Sequence, residues 1–351
     1  MAFIPLNRVH WLYWLALLWC SVYLLLTLFW WQQTHQQGEQ IRRTEQLMPL
    51  LLPVQHLIQQ LQLERGLSAG QVTPSLPYKP ALQIQYLLTD AAWRDLSVVL
   101  EQHRPSAENM PLNQLTRQHP LLALRQEVTY NGLDLMPTDG AAVIKAYSAV
   151  IKPLLQFVQL LRQEGKLDWQ QHSTAISSLT EAIERAGLER ALLHIATAEQ
   201  EMTAGRHQNY VFVVNEQRDF LQEFEAKSPA TVLTLWQQWQ QSEAYQQLVL
   251  VREQALQQQF SVTPAQWFSL ATQNINQLYL LQRQLQFQLQ QDLAKAHLLR
   301  QQMLLQLQLH QQLIVLLLLL LLWRMYRLNR ANQPVAKNAR LESTMHNQFS
   351  N

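Results

Sequence analysis

Leu63-Glu-Arg-Gly-Leu-Ser-Ala-Gly70 and its echo about 125 positions later, Leu188-Glu-Arg-Ala-Leu-Leu193, decide how this chain is read. Upstream of the first, Leu47, Leu51, Val54, Ile58 and Leu61 follow the alternating four- and three-residue spacing of a buried helical stripe, and the next position on that stripe is Arg65. Upstream of the second, Ile176, Leu179, Ile183 and Ala186 trace the same kind of stripe, which reaches Arg190 and continues to Leu193. A guanidinium turned into the core of its own helix needs a partner, because an unpaired buried charge is costly. Glu64 and Glu189 each precede an arginine, but adjacent helical residues do not face one another. The partner is then either an acid on a neighbouring helix or a ligand.

Composition sets the class. The 351 residues are 48% hydrophobic and only 15% charged, with 8 glycines and abundant Leu and Gln, which favours long helices over sheets. A net charge of +2 argues neither for nor against a nucleic-acid partner, and none is expected. The single cysteine, Cys20, lies in an apolar run, so no disulfide framework is available. His56, His194 and His207 lack metal-ligand spacing, and neither a nucleotide-binding glycine motif nor a nucleophile elbow occurs. No metal, no cofactor and no enzymatic activity are expected.

Two apolar segments suggest membrane helices. Trp11 to Trp31 carries no charge, matches the roughly 20 residues that span a bilayer, and ends in aromatics suited to the interfaces. It exceeds a signal-peptide core of about 7 to 15 residues and no small-x-small cleavage site follows. The second, residues 301–323, is strongly apolar from Leu313 to Trp323, with a glutamine-rich outer half. Arg324, Arg327, Arg330, Lys337 and Arg340 follow it, which predicts a cytoplasmic tail over 324–351; Arg8 is compatible with a cytoplasmic N-terminus over 1–10. Residues 32–300 would then face the periplasm of a bacterium. Only 28 residues follow Trp323, so output is expected to come from a partner, or the chain is a truncated receptor.

The external region reads as helices throughout. The first is expected over about Gln40–Leu67, with Pro49 and Pro53 kinking it or shifting its start, and Gly66, Gly70 and Pro74 ending it. Others are expected over about Ala81–Gln102 and Leu112–Val128, the latter interrupted near Pro120, then Gly140–Gln163 capped by Thr138 or Asp139, then one capped by Asp168 that carries Arg190. A helix after Gly205 should reach Phe224, and Ser228-Pro229 should open another running without interruption through Trp236 and Tyr245 to Arg252, which lies on the stripe Tyr245, Leu248, Arg252, Leu256. Thr263-Pro-Ala-Gln266 matches a capping box with proline at the first helical position. Nothing breaks the following pattern before Trp323, and Leu278, Leu281, Leu285, Leu289 and Leu293 hold its buried stripe. A strand reading of the Leu-Gln alternation around 284–290 lacks turn signals.

The stretch Leu57 to Gly70, followed by Ile183-Glu-Arg-Ala-Gly-Leu-Glu-Arg-Ala-Leu192 and by Asp219-Phe-Leu-Gln-Glu-Phe224, resembles the nitrate- and nitrite-sensing domain family of bacterial membrane receptors. The similarity spans most of residues 40–260. The resemblance implies an all-α domain, a pair of four-helix bundles that binds its anion between helices through arginines; with the apolar segments, the expected fold is a periplasmic pair of bundles flanked by two transmembrane helices. Nitrate is a planar anion, and a guanidinium is planar, always charged and able to offer paired donors to two oxygens. Arg65 and Arg190 are the expected ligand-binding residues, with Arg252 a third member; Glu64, Gly66, Ser68, Arg185 and Glu189 belong to the supporting motifs. Arg185 lies off the stripe of Arg190 and is expected to be solvated. The expected partners are nitrate or nitrite, the bacterial inner membrane, a second copy of the chain and an output protein. The alternatives are buried structural ion pairs at Arg65 and Arg190 and a helical adaptor or scaffold that binds no ion.

Overall fold

The computed structural model describes residues 6–71, 79–103, 120–130, 140–164 and 170–348. Among the described residues the chain is all-α, with helices α1 (Leu6–Gln71), α2 (Lys79–Gln102), α3 (Pro120–Tyr130), α4 (Gly140–Glu164), α5 (Gln170–Glu199), α6 (Ala204–Lys227), α7 (Ala230–Gln240), α8 (Glu243–Leu256) and α9 (Pro264–Gln348). Pro74, residues 112–119 of the expected third helix, the proposed caps Thr138, Asp139 and Asp168, and the side chain of Leu47 lie outside the described residues.

The structure corrects several boundaries. The apolar run from Trp11 and the helix expected from Gln40 are one helix, α1, which keeps Pro49 and Pro53 inside it. Gly66 does not end it; the helix stops at Gln71, one residue past Gly70. Gly66 is a close-approach position instead: a Cβ there would stand 3.1 Å from the Phe268 ring. Thr203 caps α6 and accepts from the Arg206 amide, so Gly205 falls within that helix rather than before it. The helix expected from Pro229 to Arg252 breaks at Gln241-Ser242, where the Ser242 hydroxyl accepts from the Tyr245 amide and starts α8. The capping box at Thr263 forms as expected: Thr263 N donates to Gln266 Oε1 at 3.0 Å, and Gln266 N to Thr263 Oγ1 at 3.3 Å. The helix it opens continues past Trp323 to Gln348.

The chain divides into two compact units, Met1–Glu39 with Lys295–Asn351, and Gln40–Ala294. In the first, Arg300 Nε donates to the Thr34 carbonyl at 3.2 Å, and Gly38 leaves room for the Arg300 guanidinium where a Cβ would collide with it. Trp14, Trp19, Leu313 and Leu320 are exposed there. Segments of α1, α4 and α9 are long and apolar enough to cross a membrane by length and composition. The segment in α4 was not anticipated as such, and it buries Tyr147, Ile151, Leu154 and Phe157 within the second unit.

In the second unit the expected stripes are buried: Leu51, Val54, Ile58 and Leu61 on α1, Ile176, Leu179, Ile183 and Leu193 on α5, and Leu278, Leu285 and Leu289 on α9. α5 goes further than its stripe. It packs against α4 and α6, and its polar positions are buried too, among them Ser178, Thr180, Glu184, Glu189 and Thr197. Each has a bond that makes this tolerable. Ser178 donates to Glu223 on α6, Gln282 on α9 donates to Thr180, Gln159 on α4 donates to Glu181, and Thr197 bonds back to the Leu193 carbonyl. A polar helix with neighbours on every face is therefore the centre of this unit.

Candidate functional site

The α1 and α5 stripes carry Arg65 and Arg190 into one buried cluster; the two side chains are 0% and 1% exposed. Arg65 Nη1 donates to Glu184 Oε1 at 2.6 Å and Nη2 to Oε2 at 3.2 Å, so the carboxylate on α5 fills the end of the fork. Nη1 also donates to Ser148 Oγ on α4 at 2.9 Å. Among the described residues Arg190 has no such acid. Its Nη1 donates to Thr272 Oγ1 on α9 at 3.0 Å and its Nη2 to the Gln62 carbonyl on α1 at 2.9 Å, while its guanidinium lies 4.8 Å from the Phe268 ring centroid. Among the described residues neither Nε has a hydrogen-bond partner.

Gln62 links the members. Its Nε2 donates to Glu184 Oε2 at 2.7 Å, and its Oε1 accepts from the Tyr279 hydroxyl at 3.1 Å. Among the described residues, the charges of Arg65, Arg190 and Glu184 leave the cluster with one positive charge in excess. Burial pushes the Arg190 guanidinium down to about 10, and repulsion from Arg65 adds to the effect. At neutral pH it remains a cation. Burial also raises the Tyr279 phenol, with the nearby Glu184 carboxylate acting in the same direction, so it stays a neutral donor. Backbone closes around the guanidinium edges: a Cβ on Gly187 would lie 3.0 Å from Arg65 Nη2, and one on Gly66 would lie 3.6 Å from Arg190 Nε.

The glutamates of the two Glu-Arg pairs point elsewhere, as the one-residue offset requires. Glu64 accepts from Arg125 Nε and Nη2 on α3 at 2.8 and 2.9 Å and from the Tyr147 hydroxyl at 2.8 Å. Ser68 joins through Tyr147, 3.1 Å away. Glu189 accepts from Arg252 Nε and Nη2, both at 2.7 Å. Arg252 thus has its fork on Glu189, with Nη2 also reaching Gln217 at 2.9 Å. Arg185 is half-buried rather than solvated, because Glu216 accepts from its Nε at 2.6 Å and Glu181 lies 3.7 Å from its Nη2.

A cleft reaches the cluster. Its volume is about 410 Å³, and Ser148 and Lys152 of α4 and Glu184 and Arg185 of α5 line it. Ser148 and Glu184 are the two side chains that hold Arg65, so Arg65 stands directly behind the cleft wall. Among the described residues no group of three or more His, Cys, Asp or Glu could hold a metal ion.

Sequence reading did not identify Gln62, Ser148, Glu184, Thr272 or Tyr279. Gln62 was accessible in principle, since it precedes Arg65 by one helical turn and shares its face. Glu184 sits beside the stripe residue Ile183, and nothing in the local pattern marks it as buried. Thr272 and Tyr279 reach the cluster only because α9 packs against both α1 and α5.

The chain resembles the solved structure of the NasR transcription antiterminator, with a TM-score of 0.66 and 21% sequence identity over 82% of this chain and 81% of that one. That likeness establishes a shared fold. No curated protein sequence matches the chain. The family model for nitrate and nitrite sensing matches residues 56–294, a span that contains Arg65, Arg190 and Arg252. This chain belongs to the nitrate and nitrite sensing family.

Proposed function

We propose that the protein is a membrane-anchored sensor that binds nitrate or nitrite between α1 and α5 through Arg65 and Arg190, and passes occupancy along α9 to a partner. One observation carries the reading: Arg190 is a fully buried cation with no carboxylate partner among the described residues. Such a group is costly to keep unless something offsets it, and a planar oxyanion matches its donors. Arg252 supports the site through Glu189, the neighbour of Arg190.

The exposed apolar faces of residues 11–31 and 313–323 support a two-pass anchor in the bacterial inner membrane, with residues 32–300 in the periplasm and the basic segment from Arg324 in the cytoplasm. Two four-helix groups are supported by the bonding pattern. The C-terminal part of α1 bonds to α2, α3 and α4, and α5 bonds to α6, α8 and α9. A homodimer is the proposed assembly, and the output partner is a separate protein. The Arg65–Glu184 pair favours a second reading, in which the cluster is a structural ion-pair network of an adaptor that binds no anion.

Calorimetric titration of sodium nitrate into the full chain in detergent micelles separates the two. The sensor reading expects measurable binding in the parent and a loss of about tenfold to a hundredfold in Arg190→Lys, which keeps the charge and loses the planar fork. Equal nitrate affinity in parent, Arg65→Lys and Arg190→Lys proteins of matching helicity would sink the arginine site.

A further inference from the structure

Resting on that reading of the site, we propose that Glu184 is a built-in competitor of the anion: its carboxylate occupies the donors of Arg65 that the ligand uses, and binding displaces it. The first ground is chemical likeness. A carboxylate and a nitrate are both planar oxyanions that take two parallel N–H donors from one guanidinium. Glu184 takes Nη1 and Nη2 of Arg65 in that manner, at 2.6 and 3.2 Å.

The second ground is access. On the remaining edge of Arg65, Nη2 lies close to the α5 backbone, where a Cβ on Gly187 would stand 3.0 Å from it. Arg190 Nε similarly faces Gly66. The cleft opens instead on Glu184 and Ser148, the two acceptors on Arg65. An anion coming through it meets the end of the fork first, and that end is filled.

The third ground is that the released carboxylate has somewhere to go. Gln62 Nε2 already donates to Glu184 Oε2 at 2.7 Å, and Lys152 and Arg185 line the same cleft. Rotation toward Lys152, on the neighbouring helix α4, keeps Glu184 from becoming an unpaired buried charge, whereas Arg185, its sequence neighbour, is already held by Glu216. The exchange keeps Arg65 neutralised throughout, and it converts arrival of an ion into movement of a side chain on the central helix α5. It also sets selectivity, because only an anion that outcompetes a tethered carboxylate for a bidentate fork occupies the site; chloride, a single-point acceptor, does not.

The test uses the full chain in detergent micelles. Parent and Glu184→Gln proteins, each checked for helicity, are titrated calorimetrically with sodium nitrate and, in parallel, with sodium chloride. Glu184→Gln removes the competing charge at nearly constant shape, so nitrate affinity is expected to rise by roughly tenfold or more, the size of one charge-assisted contact. Binding seen in the variant alone is the same result in stronger form. If the variant loses helicity in chloride, recovery of helicity in nitrate supports the exchange and failure to recover overturns it. Equal or weaker nitrate affinity in a folded Glu184→Gln protein overturns the exchange while leaving the anion site intact, and makes Glu184 a positioning residue for Arg65. No nitrate binding by either protein removes the site reading itself.

Discussion

Glu64-Arg65 and Glu189-Arg190 are the same dipeptide on two helices, and the fold treats them alike on one side and differently on the other. Each glutamate receives a bidentate arginine from a distant helix, Arg125 in one case and Arg252 in the other. Each arginine is carried by its stripe into the shared cluster. There the symmetry ends, because Arg65 has Glu184 and Arg190 has a hydroxyl, a backbone carbonyl and an aromatic ring. The difference teaches that a buried arginine in a sequence does not by itself announce a ligand. What distinguishes a structural ion pair from a candidate site is whether the surrounding helices already supply the counter-charge.

The comparison can be broken most directly at Arg65. Arg65→Ala removes the buried fork with its bonds to Glu184 and Ser148, and breaking such a pair typically costs about 3 to 5 kcal/mol, with the lower end expected here because Glu184 can turn toward Lys152. Chemical denaturation should show a loss of that order in chloride buffer; a change below about 1 kcal/mol would mean that the pair is not what holds α1 to α5 at this point.

Arg190→Met should behave in the opposite sense. It removes a desolvated cation and keeps apolar bulk against Phe268, so stability in chloride should stay within about 1 kcal/mol of the parent or rise. The same denaturation measurement checks it. A loss as large as that of Arg65→Ala would show that the hydrogen bonds to Thr272 and Gln62 matter more than the uncompensated charge.

The smallest expected effect is at His194, one helical turn beyond Arg190. Burial holds this imidazole below its ordinary value; the Pro264 carbonyl, 3.1 Å from Nδ1, acts against that, and the charge on Arg190 adds to the lowering. Because the folded protein favours the neutral ring, this contribution to stability is present above the unfolded value of about 6.5 and is lost as pH falls through it toward the lower folded value. In Arg190→Met the ring should titrate at higher pH, though still below the ordinary value, and the acid loss of stability should shrink. Proton NMR titration of the ring in both proteins measures the shift; no upward movement would mean that the Arg190 charge is not felt there.

Helix content, the stripes and the capping box at Thr263 were legible in the sequence because they depend on local spacing. Leu51, Val54, Ile58 and Leu61 lead to Arg65 at helical intervals, and that pattern alone places the guanidinium inward. The break at Ser242 was not legible. Ser242 is a competent cap, but the polar run Gln240 to Glu243 suits a solvated helical turn as well as a break, and the chain turns there as Trp236 and Trp239 pack against Tyr245. Gly66 was misread as a stop because glycine serves equally to end a helix and to admit a neighbour, and only the presence of Phe268 on another helix selects the second.

By itself the sequence determined that two arginines turn inward, that the chain is helical, and that segments near both ends are apolar enough for a bilayer. These are properties of period and composition, and each is set within a few turns of one helix. Only the tertiary structure decided which acid meets which arginine. Glu184 is 119 residues from Arg65, Arg125 is 61 from Glu64 and Arg252 is 63 from Glu189, and no local rule ranks these partners over the other charged residues. Pairing over such separations depends on which helices pack together and in what register, and that same packing leaves Arg190 without an acid among the described residues.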